Sequence, residues 1–423
     1  MKRLFTAALA GCWFATACGA AELPRAKPEE VGLSSERLGR VMDVVKAEIG
    51  QKLLPGAVLM VVRHGKVAFL EFAGERDPAR GVAMSPDTIF RIYSMTKPIT
   101  TVAAMMLVED GTIALEDPVS KYIPSFKDLK VATSKPDAAG GPATVDTAPA
   151  RRPPTLQDLM RHTSGITYGF FGEGPAKKAY LDANVTKGDF DNAEFADRIA
   201  KLPLAYQPGT TWDYSHSTDI LGRVVEVAAG KPLGAFLKER LFDPLGMTDT
   251  SFNVPEPARQ ERLAEPFPAD RVFGADAEFF DPRKPTRYES GGGGLVGTAG
   301  DYARFLQMLL AGGTLDGKRF LGPRTIAYMT ADHVGPGSNV QPGPYYGPGL
   351  GNGFGLGFAV RRQDGVSAVP GSAGDYFWAG VGGTQFWVDP REDMFAVFMM
   401  QSPKQRTRYR AILRDMIYAA IEK

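Results

Sequence analysis

The sequence predicts a mixed α/β (α+β) fold: an antiparallel sheet flanked by helices, plus a helical region. Three observations carry this expectation. Ala57-Val58-Leu59-Met60-Val61-Val62 is too apolar on both faces for an exposed strand. Thr384 to Val388 and Met394 to Met400 are two further strand-like runs around the turn Asp389-Pro390-Arg391-Glu392-Asp393. Between these ends, from about Ser94 to Phe280, helical patterns and loops dominate.

The individual elements follow from local chemistry. Leu33 to Ile49 places Leu38, Val41, Val45 and Ile49 at helical spacing behind a cap at Ser34 or Ser35. His64-Gly65 is a turn signal, and Val67 to Phe72 is the returning strand. At the far end, Tyr409, Ile412, Leu413, Met416, Ile417, Ala420 and Ile421 form the apolar stripe of a closing helix. Ala132 to Pro154 and Gly335 to Gly353 read as long loops, expected to serve as lids or rims around a pocket. No internal repeat is present.

Composition narrows the function. Lys and Arg total 49 against 48 for Asp and Glu, in a chain of 423 residues. Such balance carries no basic stripe for nucleic acid and no acidic disordered tail, and it suits a small, mostly neutral substrate. Residues 1–21 have the layout of a signal peptide: Lys2-Arg3, an apolar run from Leu4 to Ala17, then small residues with cleavage expected after Ala20 or Ala21. The expected location is therefore periplasmic or secreted. Leu9-Ala10-Gly11-Cys12 resembles a lipoprotein lipobox, so a lipid anchor at Cys12 is the alternative to free release. Both cysteines, Cys12 and Cys18, fall in this segment, leaving no disulfide in the mature chain. No later stretch has the length and apolarity of a membrane span.

Three segments carry chemistry. The first is Phe90-Arg91-Ile92-Tyr93-Ser94-Met95-Thr96-Lys97, leading into an apolar helix with Ile99, Val102, Ala103, Met106 and Leu107 that ends by Gly111. Pro98 suits a first turn and sets the helix start near Ser94. A spacing of three puts the Lys97 amine on the face of Ser94, where burial and the helix N-terminus both favour a neutral, proton-accepting amine. The second segment is Gln207-Pro208-Gly209-Thr210-Thr211-Trp212-Asp213-Tyr214-Ser215-His216, a turn that delivers Tyr214 ahead of a helix with Ile220, Leu221, Val224 and Val225. A phenol beside a lysine can share its proton. The third is Asp375-Tyr376-Phe377-Trp378-Ala379-Gly380-Val381-Gly382-Gly383, aromatic and then small, as a sheet edge approached by substrate requires.

Together, and in this order, the segments resemble the serine β-lactamase and penicillin-binding-protein superfamily. The similarity is greatest to class C β-lactamases and family VIII carboxylesterases. It begins at Pro55-Gly56-Ala57, includes Thr155 to Gly165, and reaches Gly355-Leu356-Gly357-Phe358. The resemblance implies a β-lactamase-like sandwich: one catalytic domain over 22–423, with its sheet part in about 22–90 and 285–423 and its helical part in about 91–284. It also implies Ser94 as nucleophile, Lys97 and Tyr214 as its proton partners, and the N–H groups of Ser94 and Val381 as oxyanion hole. Tyr93, His216, Trp378, Ala379 and Gly380 would contact substrate, and neither cofactor nor metal is required.

Two departures set the expected substrate. Trp378 stands where the lactamases carry Lys or His, removing a cation that could pair with a β-lactam carboxylate. His216 stands where they carry Asn. Both favour small neutral esters; a β-lactamase or D,D-peptidase, a transacylase and a non-turning-over β-lactam sensor are the alternatives. Gly292-Gly293-Gly294-Leu295-Val296-Gly297 matches a nucleotide-loop pattern without a preceding buried strand, and reads instead as a tight turn lining the pocket. The four histidines are scattered, with no metal-ligand spacing; His162 reads as a structural helix-end residue.

Overall fold

The computed structural model describes residues 22–423 except 136–143, 271, 274–276 and 345. The leader-like segment 1–21, with its cleavage site and Cys12, lies outside the described residues.

Helix α1 (Ser35–Gly50) starts where Ser34 accepts the Arg37 N–H through its hydroxyl at 3.3 Å. Strands β1 (Gly56–Arg63) and β2 (Lys66–Asp77) turn at His64 and Gly65, both at positive φ, and β3 (Val82–Ala83) pairs with the end of β2. Next come α2 (Thr96–Glu109), α3 (Leu156–Met160), α4 (Pro175–Ala183), α5 (Ser217–Ala229) and α6 (Ala299–Leu310). The chain closes with β4 (Asn352–Phe354), β5 (Ala359–Arg361), β6 (Tyr376–Ala379), β7 (Gln385–Asp389), β8 (Met394–Met400) and α7 (Arg406–Tyr418).

These strands make one eight-stranded antiparallel sheet in the order β4-β5-β6-β7-β8-β1-β2-β3. The first strand therefore lies beside the last, from Ala57 opposite Met400 to Arg63 opposite Met394. Alternation explains why both runs are apolar throughout. Ala57, Leu59, Val61, Ala396, Phe398 and Met400 pack against α1 and α7 through Leu38, Val41, Tyr409, Leu413 and Ile417. Val58, Met60, Val62, Phe395, Val397 and Met399 face the opposite way, into the core shared with α2 and α6. Both faces are covered, so neither can be polar.

Helix α2 is the strut of that second core, with every residue from Thr96 to Leu107 buried. It begins slightly later than the sequence suggests: Ser94 sits in a tight 3-10 turn, Tyr93–Met95, immediately ahead of it. The segment read as a loop from Ala132 to Pro154 is different as well. Lys130–Lys135 and Thr144–Pro149 pair as a two-stranded ribbon, with Val131 opposite Ala148 and Thr133 opposite Asp146. Its Ala and Pro content hid the strand preference of Val131, Thr133, Val145 and Thr147. The ribbon docks on Leu204, whose carbonyl accepts the Ala132 N–H at 2.8 Å, and none of its described residues borders the main cavity.

A buried charge cluster fastens α7 to the sheet. Asp375 is fully buried; Arg361 Nε of β5 lies 2.7 Å from its carboxylate and Arg414 Nη1 of α7 2.8 Å. Removing one member of such a cluster strands the others without water or partner. Asp375→Ala is expected to lower unfolding free energy by about 3–5 kcal/mol in urea titrations; an unchanged midpoint would show that the two guanidinium groups do not depend on it.

Candidate active site

The approach to Ser94 is held from both sides. Ile92 donates its N–H to the Leu295 carbonyl at 3.0 Å, and Tyr302 donates its hydroxyl to the Met95 carbonyl at 3.0 Å. Between these anchors Tyr93 has φ +46°, a left-handed conformation that costs a tyrosine on the order of 1–3 kcal/mol. Its ring is wedged edge-on against Phe279 and Phe280, at centroid distances of 5.5 and 5.4 Å. Burial pushes the Tyr93 phenol well above its ordinary range. The bend leaves Ser94 half-buried at the cavity wall.

Lys97 follows one turn later, with 1% of its surface exposed. Its Nζ donates to the Gly292 carbonyl at 2.6 Å, lies 3.2 Å from the Tyr168 hydroxyl and 3.4 Å from Ser94 Oγ. It also sits over the ring of Tyr214, 4.6 Å from the centroid, and 5.5 Å from that of Tyr168. The amine is thus enclosed by two aromatic faces and tied by a carbonyl.

Tyr214 is positioned by its neighbours in sequence. Trp212 is fully buried and stacks parallel to the Tyr214 ring at 6.2 Å. Asp213 is locked by Lys177 of α4 at 3.1 Å and by the Thr167 hydroxyl at 2.5 Å. His162, at φ +57°, packs 4.9 Å from the Tyr214 ring while its Nδ1 meets Ser215 Oγ at 3.1 Å. Burial and then the charge of Lys97 hold His162 well below its ordinary range, so it is a neutral wall of the site. The Tyr214 hydroxyl accepts the Trp378 indole N–H at 3.2 Å. That donor faces the tyrosine rather than a substrate.

The third segment shows why small residues follow the aromatic run. β5 pairs only with Tyr376 and Phe377, so Trp378 and Ala379 are laddered on one side alone, to Phe386 and Gln385 of β7, and they border the cavity. Gly380 lies behind the wall instead of on it: a Cβ there would fall 2.5 Å from the Ile92 carbonyl oxygen. Glycine therefore lets β6 close onto the turn carrying Ser94. Val381 beyond it borders the same cavity as Ser94. His216 also lines it and stands at the N-cap position of α5.

The cavity measures about 1040 Å³, and its walls include Tyr93, Tyr168, Phe170, Phe171, Tyr214 and Trp378. The Gly-rich run borders it through Gly292, Gly293 and Gly294, and the Gly335–Gly353 loop contributes Gly347, Pro348 and Asn352. Two residues of the site carry no signal in the sequence. Tyr168 lies just past the recognised Thr155–Gly165 stretch, and burial, with the charge of Asp219, pushes its phenol far up. Asp219 looks like an ordinary acidic residue in the first turn of a helix. Burial pushes its carboxyl up, but the hydrogen bond and charge of His216, the charge of Lys97 and the Ser290 hydroxyl bring it down to about 2.

An S-x-x-K pair at the head of a buried helix, facing an antiparallel sheet across an aromatic cavity, has the architecture of serine β-lactamase-like proteins. The model of the Beta-lactamase family matches residues 41–419, and the chain belongs to that family. It is 38% identical to protein Rv1367c of Mycobacterium tuberculosis, over 82% of this chain and 86% of that one. It is 32% identical to esterase EstB of Burkholderia gladioli, over 93% and 98%. Among solved structures it resembles EstCE1, a hydrolase with promiscuous acyltransferase activity, with TM-score 0.75, 26% identity and coverage of 90% and 99%.

Proposed function

We propose that the protein is a serine carboxylesterase that cleaves small-molecule esters through an acyl-enzyme on Ser94. The observation that carries this is the buried Lys97 nitrogen 3.4 Å from Ser94 Oγ at the wall of the aromatic cavity. Likeness to esterase EstB over nearly the whole of both chains supports the same chemistry.

In the first half-reaction Ser94 Oγ adds to the ester carbonyl while Lys97, with Tyr214, takes its proton. Backbone N–H groups of Ser94 and Val381 receive the oxyanion. The carbon–oxygen bond to the alcohol then breaks and the stored proton leaves with the alcohol. In the second half-reaction a water gives its proton to the same pair, its oxygen joins the acyl carbon, and Ser94 departs with the proton. Whenever the Tyr214 oxygen carries negative charge, the Trp378 N–H at 3.2 Å supports it.

Substrate class follows from the same contacts. The Trp378 side chain offers an uncharged face with its N–H already engaged, so a carboxylate seated against it would lose hydration and gain no cation from this position, Lys284, Arg406 and Arg410 bordering other parts of the cavity. Neutral esters avoid that cost. The cavity reaches the upper end of the ~300–1,000 Å³ usual for small-molecule sites, so bulky esters fit as well as short ones. Export is part of the proposal, supported by the leader pattern of residues 1–21; N-terminal sequencing of the mature protein tests it. Among the described residues no helix is long and apolar enough to cross a membrane.

Ser94→Ala is expected to abolish p-nitrophenyl butyrate hydrolysis with the fold intact. Lys97→Ala and Tyr214→Phe should each lose several orders of magnitude in kcat, and the double variant little more, because the residues act as a unit. Losses that simply multiply would show that they do not share one proton.

Trp378→Phe keeps an aromatic face and removes the donor to Tyr214. Its kcat should drop about tenfold, the effect of one hydrogen bond to a charged group, with a modest fall in Tm from the lost indole volume. Full activity would mean that the Tyr214 oxygen carries no charge needing that donor.

For the wild type, kcat/KM should be far higher for p-nitrophenyl butyrate than for benzylpenicillin, with nitrocefin at most slowly opened. Benzylpenicillin equal to or better than the ester would replace the esterase proposal by a β-lactamase one. A product transferred to an added alcohol in preference to water would make it a transacylase.

A further inference from the structure

Asp219 lies in the first turn of α5, 4% exposed, and no step above uses it. Its Oδ1 accepts three bonds from one loop: the Tyr288 hydroxyl at 2.8 Å, the Ser290 hydroxyl at 2.5 Å and the Gly292 N–H at 3.0 Å. Its Oδ2 meets His216 Nδ1 at 3.2 Å. A Cβ on Gly292 would fall 2.5 Å from that same Oδ2, so glycine is what lets the loop settle on the carboxylate.

From this anchor two lines of contact lead to one nitrogen. Gly292, gripped through its N–H, turns its carbonyl to Lys97 Nζ at 2.6 Å. His216, gripped through Nδ1, packs its ring 4.2 Å from that of Tyr168, whose hydroxyl lies 3.2 Å from the same Nζ. A carboxylate this well supplied with donors stays ionised in the interior.

We propose that Asp219 is a positioning residue for the reaction: a buried anion that fixes Gly292 and Tyr168 about Lys97 and sets the pH range over which the enzyme works. The proposal rests on Ser94 and Lys97 being the nucleophile and its base. The groups around Lys97 are Ser94 in the turn ahead of its own helix, Tyr168 and His162 from the loops after α3, Tyr214 from the loop before α5, and Asp219. Asp219 in turn faces His216 just ahead of α5, Tyr288 and Ser290 on the glycine loop, and Tyr168. Only Asp219 among these is a fixed negative charge, and a nearby anion favours the protonated amine. Removing the charge should therefore move the acidic limb of the rate profile to lower pH.

The test compares pH profiles of kcat/KM for p-nitrophenyl butyrate. Asp219→Asn preserves shape and an acceptor for the Gly292 N–H while deleting the charge. Its acidic limb should move down by about one pH unit, with kcat at the plateau about tenfold lower and KM little changed. Ser290→Ala, which strips one donor from the same oxygen and keeps the charge, should move the limb up by a smaller amount. It also serves if the asparagine variant does not fold. A limb that coincides with the wild type in a folded variant, whatever the rate, reduces Asp219 to a structural residue and overturns the proposal. Wild-type protein without ester hydrolysis, or Ser94→Ala retaining it, would instead overturn the assignment of the site.

Discussion

A lysine amine buried to 1% exposure between two tyrosine rings is the constraint on which the rest of the site depends. Removing such a group from water costs several kcal/mol unless protein atoms replace the lost hydration. Here the replacements come from distant parts of the chain: the Gly292 carbonyl, the Tyr168 hydroxyl and the Tyr214 ring. None of these is close to Lys97 in sequence, so the amine's environment exists only once the whole fold has formed. The same nitrogen is left within 3.4 Å of Ser94 Oγ, at the half-buried edge of an otherwise closed cluster, and the proposed esterase chemistry rests on that contact.

The scaffold meets that demand by burying α2 from Thr96 to Leu107 against a sheet that is itself covered on both faces. Pairing of the first strand with the last brings β6, and with it Trp378 to Val381, alongside the turn that carries Ser94. Backbone approach at Gly380 and Gly292 is what makes the two sides meet, each at a point where a Cβ would collide with oxygen. Packing and chemistry are therefore the same set of contacts: loosening either loop would both expose the amine and misplace its acceptor.

Much of this was legible in the sequence because the informative patterns are local. The two-faced apolar runs at both ends define central strands, Ser34 caps α1, and Ser94 and Lys97 are three residues apart. What escaped depends on distance in space. Tyr168 and Asp219 carry no local mark of their partners, since a phenol near a lysine and a carboxylate under a glycine loop are made by tertiary folding alone. The direction of the Trp378 N–H could not be read either, because an indole offers its donor to whichever acceptor the packed ring reaches, here Tyr214. The Lys130–Pro149 ribbon was hidden by composition: Val131 is buried against the core, but one such residue among Ala, Thr and Pro imposes no apolar alternation on so short a pair of strands.

The central claim, that Ser94 is the nucleophile and Lys97 its activating partner, is most directly tested by covalent capture. Wild-type protein treated with a p-nitrophenyl phosphonate and digested with trypsin should carry a single phosphonyl group on the peptide containing Ser94. The same labelling of Lys97→Ala should be slower by orders of magnitude. An adduct on any other serine, or equal labelling rates in the two proteins, would contradict the account.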